Sequence, residues 1–456
     1  MTARYAVTDP ASGRTLRAYP TATDDELGTA VTAADAAYRA WRRRTVAERA
    51  GHLREAARVF RRERERLAAI ATREMGKPTA QALAEVDLVA AIFAHYADRG
   101  PAVLADHRID TSPGEAVVRT APVGVVLGIM PWNYPYYQVA RLSAPNLLLG
   151  NTVLLKPAPA CPESAEAFDA VLAEAGFPAG AHTRIHATEA QIADLIARPE
   201  VQGVSLTGSE RAGRAVAAAA GAAGKKVVLE LGGSDPFIVL ADADLDAAVE
   251  AAVFGRMQNA GQACTASKRF IVLDEVYDRF TTAFAAGVNR LTVGDPSDDV
   301  DMGPLSSEAA ARRVVEQVDD ALAHGARALV GGRRLERPGA FVEPTVLVDV
   351  PASARAYREE IFGPVAVVHR VHSVDEAIDL ANDTPYGLGS VVFGADRGAL
   401  ERVIAELDVG MVAVNGPSVT QPDTPFGGVK ASGIGRELGD HGLREFANHK
   451  LVRTLG

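Results

Sequence analysis

Cysteine is nearly absent from this chain: Cys161 and Cys264 are the only two in 456 residues. Two thiols cannot build a disulfide framework, and no Cys-x-x-Cys pair is present to hold a metal, which predicts a reducing compartment. No uninterrupted apolar run approaches the ~20 residues of a membrane span. The N-terminus, Met-Thr-Ala-Arg-Tyr, lacks the basic-then-apolar profile of a secretion signal. Together these absences predict a cytoplasmic protein with no membrane partner. Excess positive charge is missing too. A formal net charge of -10 argues against a nucleic-acid partner, which would call for a basic stripe, and leaves room for a local cationic pocket.

What is present is the composition of a globular protein, 48% hydrophobic and 23% charged. The length calls for two or three domains. Alanine-rich helical patterns cover Asp24 to Arg44, Val46 to Met75 and Thr79 to about Arg99. The arginines at 61, 62, 64 and 66 alternate with Glu63 and Glu65, as on a solvated helix face. Beyond Gly114 the pattern becomes strand, helix, strand: Val123 to Ile129, Thr152 to Leu155, Ser164 to Ala175, Val201 to Leu206, Arg211 to Ala222 and Lys226 to Leu231. That alternation is the mark of a parallel sheet wound with helices, which binds ligands at the carboxyl ends of its strands. A second α/β alternation runs from Phe237 to Asn415, so the softest boundary lies near Gly232-Gly233.

Cys264 sits among small and polar residues, Gly-Gln-Ala-Cys-Thr-Ala-Ser, whereas an inert structural cysteine usually sits in an apolar run. It is a candidate nucleophile. Asn133, in Pro131-Trp132-Asn133, reads either as a loop cap or as an amide donor to an oxyanion. Lys156 ends a strand, as a solvated cation or as a partner for a ribose hydroxyl or phosphate. Thr207-Gly208-Ser209 opens a helix whose first amides could face a pyrophosphate, though neither standard phosphate fingerprint is present. Glu230 ends an apolar strand, where burial would raise its pKa toward that of a general base or where it would be ion-paired. Glu360-Ile361-Phe362-Gly363-Pro364 and Pro425-Phe426-Gly427-Gly428 are tight loops.

In order and spacing these segments resemble the NAD(P)-dependent aldehyde dehydrogenase superfamily, from about Asp9 to Val452. Chain length and Leu231-Gly232-Gly233-Ser234-Asp235-Pro236-Phe237 look most like the short bacterial succinate-semialdehyde dehydrogenases. The resemblance implies two doubly wound α/β domains plus a small β oligomerisation extension. The cofactor-binding domain would span 1–102 and 121–231, the catalytic domain 232–434, and the extension 103–120 and 435–456. It further implies that Cys264 attacks an aldehyde, that Asn133 and the Cys264 backbone N–H hold the oxyanion, and that Glu230 activates water against the thioester. NADP or NAD would lie on Trp132, Lys156, Pro159, Gly208, Ser209, Gly213, Glu360 and Phe362. Pro159 stands where NAD-preferring members often carry a glutamate, so NADP is expected to be tolerated and even preferred. Arg141 would hold the far carboxylate of succinate semialdehyde, with Thr420 and Phe426 beside it. Another family arginine falls at Gln258, and another aliphatic or aromatic aldehyde is the alternative substrate. No metal is called for, and a homodimer or homotetramer is expected. A Cys-His hydrolase or a non-catalytic cofactor-binding protein would leave the combination of motifs unexplained. Position 266 is Ala266, so Cys264 has no neighbouring thiol for a local redox switch, and its overoxidation would cost activity directly.

Overall fold

The computed structural model describes residues 5–455. Two open sheets dominate it. The first has six strands in the order Gly433–Ile434, Lys226–Glu230, Val201–Thr207, Val125–Ile129, Thr152–Lys156 and His182–Arg184. All are parallel except Gly433–Ile434, which runs antiparallel to Lys226–Glu230. The chain builds outward from Val125–Ile129 to one side, then returns to add Val201–Thr207 on the other. The switch point therefore lies between these two central strands, and the crevice at their carboxyl ends is where such a sheet takes a ligand.

The second sheet has seven strands, ordered Arg327–Val330, Thr345–Val348, Val365–Val371, Arg269–Leu273, Pro236–Val239, Gly389–Phe393 and Met411–Val414. Only the Arg327–Val330 edge is antiparallel. The four strands from Thr345–Val348 through Pro236–Val239 are buried throughout their length, apart from the His369 and Arg370 positions near the end of Val365–Val371. That is the apolar pattern expected of strands covered on both faces. Phe237, Phe270, Phe280, Phe284 and Phe393 pack ring against ring in this core.

The long N-terminal helices begin where capping boxes dictate. Thr23 and Glu26 close the start of Asp24–Trp41, and Thr45 and Glu48 the start of Val46–Arg62. The sequence pattern read Val46 to Met75 as one helix. The structure breaks it at Glu63, between Val46–Arg62 and Arg64–Met75, and the charged run around the break is ion-paired at the surface: Arg62 and Arg66 to Glu63, Arg64 to Asp87.

A third sheet, Ala447–Thr454, Glu115–Pro122 and His107–Ile109, is antiparallel. Its strands lie mostly within the segments 103–120 and 435–456, where a β extension was expected. Residues 435–446 do not belong to it: Gly433–Ile434 joins the first large sheet, and the helix Gly439–Glu445 packs on the helices Thr79–Val103 and Tyr137–Leu149. Among the described residues no helix is long and apolar enough to cross a membrane.

Candidate active site

The thiol loop follows the helix Leu245–Met257. Asn259, Ala260 and Gly261 take φ values of 54, 52 and 69° in succession, a left-handed run that a non-glycine backbone holds only when its surroundings over-determine it. They do so here. The Asn259 Nδ2 donates to the Asn133 carbonyl (3.0 Å), its backbone N–H donates to Gln81 Oε1 (2.8 Å), and Gln262 Nε2 donates back to the Asn259 carbonyl (3.1 Å). The Ser306 N–H donates to Gln262 Oε1 at 2.9 Å. Gly261 is obligatory for a second reason: an added Cβ would fall 2.2 Å from the Gly363 carbonyl oxygen.

This loop brings Asn133 to Cys264. Asn133 is buried, and its Nδ2 donates to the Gln262 carbonyl at 3.0 Å, which uses one of two N–H hydrogens and fixes the amide plane. Glu230 lies near the thiol, buried, with neither carboxylate oxygen hydrogen-bonded among the described residues. Burial pushes its pKa well above the ordinary carboxylate range; Arg141 pulls down and Glu437 pushes further up. An added Cβ on Gly427, at φ 146°, would lie 2.7 Å from Glu230 Oε1, so the Pro-Phe-Gly-Gly loop gives the carboxylate its room. Burial likewise pushes the Cys264 thiol up to about 11, with Arg141 and Lys268 opposing and Glu230 and Asp235 adding to the rise. A carboxyl and a thiol that both shed protons above their usual range, beside a fixed amide, suit covalent attack followed by base-assisted hydrolysis.

Cys264 opens into a cavity of about 270 Å³ whose walls include Tyr134, Tyr137, Gln138, Gln258, Thr420 and Phe426. Thr420 and Phe426 are thus where the sequence reading put them. Arg141 is not. It is wholly buried and lines no part of this cavity. It is ion-paired with Glu437, its guanidinium donates to Thr207 Oγ1 (3.0 Å) and the Tyr137 hydroxyl (3.1 Å), and it sits 4.4 Å from the centre of the Phe426 ring. Arg141, expected to grip a substrate carboxylate, is thus not among the residues that line this cavity. Its charge is already balanced by Glu437, and its guanidinium lies over the Phe426 ring. Among the described residues no arginine or lysine lines the cavity; its polar side chains include the neutral Gln138, Gln258, Ser418 and Thr420. Glu85 also borders it, ion-paired with Lys77 and accepting from the Tyr136 and Tyr137 N–H groups (2.9 and 3.1 Å), which anchors the start of the helix Tyr137–Leu149.

A second cavity, about 390 Å³, opens at the switch point of the six-stranded sheet. Trp132, Lys156, Pro159, Gly208 and Ser209 all line it, as expected. Ser209 caps the helix Glu210–Ala222, so that helix turns its N-terminus to the cavity. Gly213 does not line it; an added Cβ there would strike Leu231 at 2.6 Å, so this glycine lets helix and strand approach. Burial lowers the Lys156 ammonium to about 8, with Glu189 pulling it back up. Glu189 and Arg211, both on this cavity, were not singled out in the sequence, where they read as ordinary helix-surface charges. On the thiol side of this cavity, Phe362 meets Trp132 edge to face at 5.7 Å, and the Glu360 carboxylate accepts the Gly233 N–H at 3.1 Å. An added Cβ on Gly232 would lie 2.4 Å from Glu360 Oε2. An aromatic slot, two cations and a helix N-terminus fit the adenosine and phosphates of a dinucleotide, and the glycine-lined approach by Glu360 suits a ribose near the thiol.

The thiol loop precedes the strand Arg269–Leu273, the Glu360 loop precedes Val365–Val371, and Gly232-Gly233 precedes Pro236–Val239. The carboxyl ends of the first sheet thus face the amino ends of the second. A nucleophile poised between a dinucleotide-sized cleft and a narrow substrate cavity defines a cofactor-dependent enzyme that works through a covalent intermediate on cysteine. The chain belongs to the aldehyde dehydrogenase family: the family model matches residues 1–452. It is 51% identical over 452 residues to the succinate-semialdehyde dehydrogenase [NADP(+)] of Deinococcus radiodurans, covering 99% of this chain and 95% of that one. Among solved structures it is similar to the succinic semialdehyde dehydrogenase from Streptococcus pyogenes in complex with NADP+, with a TM-score of 0.97 and 40% identity over 99% of this chain and 100% of that one. It is also similar to the betaine aldehyde dehydrogenase from Staphylococcus aureus in complex with NAD+, with a TM-score of 0.95 and 33% identity over 99% and 92%.

Proposed function

We propose that this chain oxidises succinate semialdehyde to succinate and takes NADP in preference to NAD. The observation that carries the reaction is a half-buried thiol with, close by, a fixed amide and a buried carboxylate that has no hydrogen-bond partner among the described residues. The Cys264 thiol gives up its proton to solvent, its sulfur bonds to the aldehyde carbon, and the carbonyl electron pair moves to oxygen, where the Asn133 amide and the Cys264 N–H receive it. A bound nicotinamide supplies the hydride acceptor for that carbon. Glu230 takes a proton from water, the hydroxide adds to the resulting thioester, and the carbon–sulfur bond breaks to free the acid and the thiolate.

The substrate assignment is supported by the names of the most similar relatives. In this geometry the far carboxylate meets the neutral amides and hydroxyls of Gln138, Gln258, Ser418 and Thr420. Lys156 and Arg211 against the single carboxylate of Glu189 leave the adenosine cleft with a surplus cation, which favours a 2′-phosphate. Steady-state kinetics on succinate semialdehyde, butanal and benzaldehyde with both cofactors tests both parts. The expected ranking places succinate semialdehyde with NADP highest in kcat/KM. Equal kcat/KM for butanal would overturn the substrate, and a higher value with NAD would overturn the cofactor preference.

We also infer a cytoplasmic homodimer or homotetramer. Leu451 (62% exposed) and Ile109 (42% exposed) lie on the three-stranded sheet, whose outer strand Ala447–Thr454 offers an unpaired edge, a surface that proteins usually cover. Light scattering on the chain purified from the cytosolic fraction is expected to give two or four copies. A monomer at micromolar concentration would be incompatible with it.

A further inference from the structure

Lys268 is the residue that the catalytic reading does not use and the structure does not leave idle. Its side chain is 4% exposed. The ammonium donates to three carbonyls of the nucleophile's own loop, Ala263 (3.2 Å), Cys264 (2.8 Å) and Ala266 (3.1 Å), and stands 3.2 Å from Glu360 Oε1. That same Glu360 oxygen accepts the Gly233 N–H. A buried ammonium whose partners are three backbone carbonyls and one carboxylate is held only by that arrangement, so moving either loop leaves it short of partners. Arg256 repeats the pattern from the other end: buried and without a carboxylate partner within salt-bridge reach among the described residues, it donates to the Gly261 (3.4 Å) and Ile361 (2.9 Å) carbonyls and to that of Gly363. Of the two cations only Lys268 touches both Cys264's peptide and the Glu360 carboxylate.

We propose that Lys268 is a positioning residue that locks the Cys264 loop to Glu360, so that the charge at the nucleophile and the cofactor-side carboxylate are set by one ammonium. The inference rests on Cys264 being the nucleophile. The charged and titratable groups facing that thiol are Arg141, Lys268, Glu230, Asp235, Tyr134 and Tyr137; those facing Lys268 are Glu360 and Asp235. Removing Lys268 takes away one of two cations that favour the thiolate, and the thiolate is then reached at higher pH.

The test follows carbamidomethylation of Cys264 by iodoacetamide in the cofactor-free full chain, read by peptide mass from pH 6 to 10, beside NADP binding by tryptophan fluorescence. Lys268→Met removes donor and charge; Lys268→Gln keeps a donor without the charge and carries the test if the first variant does not fold. Both are expected to alkylate about 5- to 10-fold more slowly than the wild type at every pH on the rising limb, pH 8 included. Both are expected to weaken NADP, and to do so less in a Glu360→Gln background, because the coupling runs through that carboxylate. An unchanged alkylation rate along that limb, or the same loss of NADP affinity in both backgrounds, would overturn the proposal. Cys264→Ala, measured in parallel, separates the two ideas: if it kept dehydrogenase activity the functional reading would fail, whatever Lys268 did.

Discussion

Cys264→Ala is expected to lose dehydrogenase activity by a factor on the order of 10⁴ or more, about 5.5 kcal/mol of transition-state stabilisation. Its fold and its NADP affinity should be nearly unchanged. The loss is large because no other group can substitute: the second thiol, Cys161, is 2% exposed and its Sγ faces the Trp132 carbonyl at 3.7 Å. The fold is spared because Cys264 is half-buried and gives only part of its surface to the core. In the wild type, burial holds the thiol near 11, so below that pH each unit gained raises the thiolate fraction about tenfold. The rate of acyl transfer to Cys264 should climb with pH across the neutral range. A flat pre-steady-state rate between pH 7 and 9 would contradict this, and stopped-flow detection of the reduced nicotinamide measures it.

How far the sequence reaches can be seen at three residues. Cys264, Asn133 and Glu230 could be singled out as candidates because each sits in a short segment whose residue types suggest a chemistry: small and polar around the thiol, an amide after Trp132, a carboxylate ending an apolar strand. Lys268 and Arg256 could not. A lysine or arginine at the start of a strand or in a helix reads as solvated, and only the fold shows that both are buried and spent on backbone carbonyls. Arg141 lies between these cases. The family resemblance suggested that it binds an anion, but its partner Glu437 comes from the far end of the chain, and no local pattern announces that pairing. The parallel sheets were legible from strand and helix alternation. Their relative orientation was not, because periodicity says nothing about which end of the second sheet meets the first, and the amino-end placement of the thiol and Glu360 loops follows from that contact alone.

Glu230→Gln should separate the two halves of the reaction. Formation of the thioester does not need a base at Glu230, whereas its hydrolysis does. The variant is therefore expected to give a burst of one reduced nicotinamide per subunit and then a steady rate lower by roughly 10²- to 10⁴-fold. Intact mass at the end of the burst should show one acyl group on the chain. The substitution is mild for the fold, since neither Glu230 oxygen has a hydrogen-bond partner among the described residues and burial already disfavours the charged form. The sign of the pH effect follows from the same burial. A general base works when deprotonated, and the raised pKa of Glu230 delays that state to higher pH, so wild-type deacylation should rise with pH beyond the ordinary carboxylate range. The Gln variant has no proton to lose there, and its residual rate should lack that limb. If the variant turned over at the wild-type rate, or kept the limb, the base would have to be sought elsewhere, and Glu437, the other buried carboxylate against Arg141, would be the next to replace.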